Sequence, residues 1–277
     1  MGTMRGGERL FRSRHPPARL RKRRTSVSTI HFSSSTSLNL VIIPTYNEKE
    51  NIELIIRAVM ALELGFHILI IDDGSPDGTA DIVRRLQADE FAERLFLIER
   101  SGKQGLGTAY IRGFRFALEH GYDFVFEMDA DFSHNPSDLP RLFAACRDEG
   151  ADVAIGSRYV TGVNVVNWPL GRVLMSYFAS VYVRIVTGMH VRDTTAGFVC
   201  YRSEVLRRIG LDRIRFKGYA FQIEMKYKAH CLGFCLKEVS VIFVNRERGT
   251  SKMNTGIFGE ALFGVLRLRW DRLIGKI

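Results

Sequence analysis

Asp129-Ala130-Asp131 follows directly on the apolar run Phe124-Val125-Phe126-Glu127-Met128. Two carboxylates one residue apart at a strand end can converge on one hard cation, and such a cation can bridge a diphosphate. The same pair could equally be solvated turn acids. A second acidic strand end, Ile70-Ile71-Asp72-Asp73, lies upstream. Two acid-tipped strands point to one site at the carboxyl edge of an α/β sheet. Side chains alternate along a strand, so one of Asp72 and Asp73 is expected to face into the sheet edge and the other outwards. Gly74 and Gly78 supply a tight turn, and Asp77 sits where it can cap the next helix.

Three further groups carry possible chemistry. Pro44-Thr45-Tyr46-Asn47-Glu48 closes the first apolar run, where an aromatic ring and a carboxylate can stack a base and accept its hydrogens, or simply cap a helix. Ser101-Gly102-Lys103-Gln104-Gly105-Leu106-Gly107 lacks the spacing of a phosphate loop and is expected to meet an anion only weakly. Arg158, Arg172, Arg246, Arg248 and Lys252 offer cations in mixed-charge surroundings, either for a phosphate or for neighbouring carboxylates. Arg172 and Ser176, four apart, share one helical face and could present a phosphate beside an apolar surface.

The elements that must position these residues alternate between short apolar runs and helical patterns. Strands are expected over 38–43, 66–71, 95–99, 124–128 and 152–155. Helices are expected over 49–64, 77–89, 104–120 and 136–148, the last with Asn135 as N-cap. This order favours a mostly parallel sheet covered on both faces. Beyond Gly156 the pattern predicts a loop over 158–167 and a helix over 168–187. Strands follow over 197–201 and 234–244, with helices over 203–209 and 220–230.

The formal charge of +10 looks at first like that of a nucleic-acid binder. Residues 1–38 hold nine Arg/Lys and one acid, Glu8, which accounts for +8 of it. The basic balance therefore belongs to a tail, and no nucleic-acid partner is expected. Residues 1–37 read as a disordered basic extension, a transit-like segment or an anion-binding arm. The four cysteines lack metal spacing and read as buried free thiols. No run reaches the length of a membrane span. Residues 256–277 read as a basic amphipathic helix, packed on its own domain or lying on an anionic membrane.

Eight segments, in this order, resemble the family 2 glycosyltransferases of GT-A fold, and among them the dolichyl- and polyprenyl-phosphate mannose synthases. They are IIPTYNEKENI (42–52), IDDGSPDGT (71–79), GKQGLGTAY (102–110), MDADFSH (128–134), GSRYV (156–160), DTTAGF (193–198), GYAFQIE (218–224) and RERGTSKM (246–253). The resemblance implies an α/β GT-A domain over 38–255, with a doubly wound sheet flanked by helices. It also implies a GDP-mannose donor, a polyprenyl or dolichyl monophosphate acceptor, and peripheral attachment at a cytoplasmic membrane face. Carried over by position, Pro44, Tyr46, Glu48 and Asp73 hold the guanosine, with Ile71 contributing backbone contacts. Asp129 and Asp131 hold Mg²⁺ or Mn²⁺ on the diphosphate, and Ala130 lines the same site. Ser133 stands where some members carry Gln as a further ligand, so water or His134 is left to complete the shell. Arg158, Arg172, Ser176, Arg246 and Lys252 face phosphate groups of donor or acceptor. Asp193 and Glu224 are expected to line the site.

Transfer from a nucleoside diphosphate sugar requires charge stabilisation on the leaving group. A hydroxyl acceptor would also need a general base. A phosphate monoester, with a second pKa of about 6, is already largely dianionic at neutral pH and needs only aligning cations. The rival readings are the same fold with another nucleotide sugar or a sugar acceptor, and a non-catalytic nucleotide-sugar-binding subunit of a membrane complex.

Overall fold

The computed structural model describes residues 1–2, 37–218, 220–245 and 257–276. Most of the basic tail, together with Arg246, Arg248 and Lys252, lies outside the described residues. The chain divides into the units Met1–Thr36 and Ser37–Ile277, and every element named below lies in the second.

The apolar runs become β1 (Asn39–Thr45), β2 (His67–Asp72), β3 (Leu95–Glu99), β4 (Phe124–Glu127) and β5 (Val153–Ser157). Between them lie α1 (Ile52–Met60), α2 (Thr79–Asp89), α3 (Leu106–Glu119) and α4 (Leu139–Arg147). The second half adds β6 (Val165–Val166), α5 (Leu170–Thr187), β7 (Val199–Arg202), α6 (Ser203–Ile209), α7 (Ala220–Cys231), β8 (Leu236–Ser240), β9 (Phe243–Val244) and α8 (Ile257–Leu273). The main sheet has seven strands in the order β3-β2-β1-β4-β7-β5-β8. Every pairing is parallel except those of β7, which runs antiparallel to both β4 and β5.

The period-2 alternation of buried strands feeds two cores, one on each face. Val41 and Ile43 of β1 join Ile52, Ile55 and Val59 of α1 and Leu142 and Phe143 of α4. Leu40 and Ile42 join Tyr110 and Phe114 of α3 and Phe221 and Met225 of α7. The approach of α3 to β1 depends on Gly113, where a Cβ would lie 2.7 Å from Ile42 side-chain atoms. A third cluster, including Val183, Tyr227, Val265 and Leu268, ties α5, α7 and α8 together.

Several expectations need correction. The run 234–244 is not one strand. Val241 N–H bonds the Ser157 carbonyl and Phe243 N–H bonds that of Asn164, so the chain leaves β5 and follows the outgoing segment instead. That segment, expected to be loop throughout 158–167, contains β6, which pairs with β9. Helix 136–148 opens as a 3-10 turn, Pro136–Asp138, with Asn135 Oδ1 accepting from Ser137 N–H as an N-cap does. All four cysteines are free, but only Cys146 and Cys200 are buried; Cys235 is exposed.

Candidate active site

At the carboxyl edge of the sheet β1, β2 and β4 end side by side, at the point where strand order reverses. At the β2 end the two acids divide as alternation requires. Asp72, 1% exposed, accepts from Thr45 Oγ1 (2.8 Å), Ser75 N–H (2.8 Å) and Ser75 Oγ (2.6 Å), so it is a structural clasp between β1 and β2. Asp73 faces Arg100, whose Nε donates to Asp73 Oδ1 at 2.5 Å while Nη2 meets the same oxygen. Burial pushes the Asp73 carboxyl up, and Arg100 opposes that shift. Asp77 accepts from Lys49 N–H, Thr79 N–H and Thr79 Oγ1, which makes it a cap.

Pro44, the penultimate residue of β1, lies beside Ile71, whose side chain is fully buried. Tyr46 is half-buried and carries the Lys103 ammonium 3.9 Å from its ring centroid. Glu48 is buried; its backbone N–H bonds Thr79 Oγ1 and its Oε2 accepts from Asn51. The glycine-bearing loop is no phosphate cradle: Gly107 N–H already bonds the Lys217 carbonyl, and a Cβ there would lie 2.7 Å from the Phe221 ring.

The turn after β4 presents its acids differently. The Asp129 side chain is 40% exposed, whereas Asp131 is buried and accepts from Ser133 N–H and Ser133 Oγ. Ser133 thus spends its hydroxyl on Asp131. Burial holds the His134 ring near pKa 4, therefore neutral, and its Nδ1 accepts the Asp129 N–H at 3.1 Å. That bond takes the nitrogen nearest the acids away from a cation. Among the described residues no third His, Cys, Asp or Glu joins them in a metal-holding group. Two carboxylates suit a hard cation that takes its other oxygens from phosphate and water. Phe132, between the acids and Ser133, has φ +60° and is exposed.

Arg158 follows β5 and is buried against Asp193, with Nε to Oδ2 and Nη2 to Oδ1 both at 2.7 Å. Asp193 is in turn positioned by Glu238, which accepts its N–H. A ladder of rings links this side to the acidic turn: His134 meets Phe243 at 5.5 Å, and Phe243 meets Trp168 at 5.2 Å. Trp168 then carries the Arg172 guanidinium at 3.9 Å, while Arg172 Nη1 bonds Asn245 Oδ1. Ser176 lies one turn further along α5, half-buried. Glu224 does not line the site; its Oε2 accepts from Arg215 N–H and Phe216 N–H, holding that loop onto α7.

Sequence reasoning passed over a buried chain behind the acids. Lys226 Nζ donates to the Ala196 carbonyl (2.6 Å) and to Gln222 Oε1, and Gln222 Nε2 donates to Glu127 Oε2 (2.8 Å). Burial raises the Glu127 carboxyl and lowers the Lys226 ammonium. This chain joins α7 to the strand that carries Asp129 and to the loop that carries Asp193. Arg100 was also passed over, although it follows β3 as Asp73 follows β2.

Comparison with known proteins places this geometry. The model of the family described as Glycosyl transferase family 2 matches residues 40–210. A polyprenol monophosphomannose synthase of Mycolicibacterium smegmatis is 46% identical over 250 residues, covering 87% of this chain and 92% of the relative. An undecaprenyl-phosphate mannosyltransferase of Micrococcus luteus is 45% identical over 242 residues, covering 86% and 98%. Among solved structures, glucosyl-3-phosphoglycerate synthase from Mycobacterium tuberculosis, in complex with Mn²⁺, UDP-glucose and phosphoglyceric acid, superposes with a TM-score of 0.59 at 19% identity. That match covers 85% of this chain and 79% of the other, and it establishes the shared GT-A fold. The chain belongs to glycosyltransferase family 2, and it is a glycosyltransferase.

Proposed function

We propose that the protein transfers mannose from GDP-mannose to the monophosphate of a polyprenol, at a membrane surface, with Mg²⁺ or Mn²⁺ held by Asp129 and Asp131. The observation that carries this reading is the likeness to two relatives named for polyprenyl-phosphate mannosylation, along 92% and 98% of their lengths. When bound, the divalent cation offsets charge on the departing diphosphate.

The chain's own residues supply the rest. Tyr46 and Asp73 border the donor base, with Pro44, Glu48 and the Ile71 backbone around it. Ala130, buried between the two acids, keeps the turn close to the diphosphate. Arg172 and Ser176 on α5 align the acceptor phosphate, and Arg246 and Lys252 are assigned to the same phosphate region from their motif. Arg158, fixed by Asp193, presents its charge from the β5 side. No strong base is needed, because the attacking phosphate is already ionised.

The acceptor's lipid is served by the surface beside α5. Leu170, Leu174, Phe178 and Ile185 are exposed along that helix, and Phe263, Leu266, Trp270 and Leu273 along α8. Large exposed apolar patches mark interaction surfaces. Arg267, Arg269, Arg272 and Lys276 are exposed around the α8 stripe, which suits anionic headgroups. Among the described residues no helix is long and apolar enough to cross a membrane.

The test incubates purified protein with labelled GDP-mannose, Mg²⁺ and polyprenyl phosphate, then extracts lipid. Label in the organic phase is expected. A protein that binds the donor yet never passes label to lipid would refute the acceptor assignment.

A further inference from the structure

Arg100 is a charged group at the donor edge with no role so far. It leaves β3 at the same level as Asp73 leaves β2, and its side chain is only 8% exposed. Three contacts fix it. Nε and Nη2 both engage Asp73 Oδ1, and Nη1 donates to Thr108 Oγ1 at 2.7 Å in the first turn of α3. Neither contact with Asp73 uses Oδ2, and the Gln104 backbone also hydrogen-bonds the Asp73 carboxylate from the loop side. The loop that follows closes over the same edge. A Cβ on Gly74, which has φ +67°, would lie 3.1 Å from the Arg100 carbonyl, and Lys103 sits on the Tyr46 ring. Asp73, Arg100, Lys103 and Tyr46 therefore border one small region.

We propose that Arg100 is a positioning residue for nucleobase selection: by engaging Oδ1 of Asp73 it turns Oδ2 towards the base, so that the site selects a base edge made of adjacent N–H donors. The proposal rests on the donor reading above. An ionised carboxylate oxygen only accepts. Guanine offers N1–H beside the N2 amino group and matches it. Uracil offers a single N–H between two carbonyls, so it can make only one of the two hydrogen bonds that guanine makes. Adenine sets an amino group beside a ring nitrogen that itself accepts. Burial of Asp73 makes the match more selective, since an unpaired polar group there is costly.

Calorimetric titration of the full chain with GDP, IDP and UDP tests this. IDP lacks the N2 amino group alone. The wild type is expected to bind GDP about tenfold more tightly than IDP, and more tightly again than UDP. Arg100→Met should weaken GDP binding about tenfold and bring the GDP/IDP ratio close to one. Arg100→Lys should recover part of the ratio. Thr108→Val, which removes the Nη1 anchor together with the hydroxyl's own bond to the Gly105 carbonyl, should lower the ratio by less and serves if Arg100→Met does not fold. A generalised structural role would weaken all three nucleotides alike. A folded Arg100→Met or Thr108→Val protein that keeps the wild-type GDP/IDP ratio overturns the role of Arg100 while leaving the donor intact. Wild-type protein that prefers UDP over GDP overturns the guanosine donor itself, and with it this proposal.

Discussion

Arg158 meets Asp193 in two hydrogen bonds of 2.7 Å, with the Asp193 side chain fully buried and the Arg158 side chain 10% exposed. Removing one partner of such a pair leaves an uncompensated buried charge. Asp193→Ala is expected to cost about 3–5 kcal/mol in chemical denaturation. Arg158→Met with Asp193→Leu should cost less than Asp193→Ala alone. Burial by itself would raise the Asp193 carboxyl, but the charge and hydrogen bonds of Arg158 outweigh it and hold it below its ordinary value of 3.8. Its stabilising contribution is thus present above pH 3.8 and is lost as pH falls through the lower folded value.

The acidic turn makes a graded prediction. Asp129→Asn and Asp131→Asn should each reduce transfer by roughly a thousandfold or more, if the cation supplies several kcal/mol of charge stabilisation. Ser133→Ala should cost only about tenfold, because the hydroxyl supports Asp131 rather than the cation. Initial rates across Mg²⁺ concentrations measure all three. Ser133→Ala as damaging as Asp131→Asn would make Ser133 a ligand after all.

Gly113→Ala should destabilise the protein by about 1–3 kcal/mol through overpacking against Ile42. The thermal midpoint reports it, and an additional Ile42→Val change should restore part of the loss.

His67 bonds the Tyr122 hydroxyl at 2.8 Å and is held below its ordinary value of 6.5, first by burial and then by Arg94. The unfolded chain therefore binds this proton more readily. Stability is expected to fall as pH drops below about 6.5, and urea midpoints between pH 7 and 5 should decline less steeply in His67→Gln.

Phe178→Glu combined with Trp270→Glu should weaken sedimentation with anionic vesicles at least about tenfold while leaving the thermal midpoint near that of the wild type. Both side chains are exposed, at 59% and 62%, so the folded protein loses little packing. Undiminished vesicle binding would move the membrane contact elsewhere.

The first half of the fold was legible because each strand is a buried apolar run closed by polar turn residues. The polarity of β7 was not: Val199-Cys200-Tyr201 is buried like its parallel neighbours, and strand direction leaves no mark on such a run. The split of 234–244 was hidden likewise, since the break at Val241 is set by which carbonyls its neighbours reach. At the site, acids on strand ends could be read by position. Which of them already has a partner could not, because Arg100 comes to Asp73 across 27 residues and Asp193 to Arg158 across 35.

The reversed strand β7 also acts as a ruler. It stands between β4 and β5, so the exits carrying Asp129 and Arg158 lie two strand spacings apart, roughly 10 Å. Because β7 runs the other way, the segment leading into it, 193–198, rises between those exits at the same edge. A parallel strand would have emptied its own exit there and crowded the gap with a third outgoing turn. The inversion instead brings that lead-in segment up between the two exits, where its first residue, Asp193, holds Arg158 and its last, Phe198, stacks on His134 behind the acidic turn.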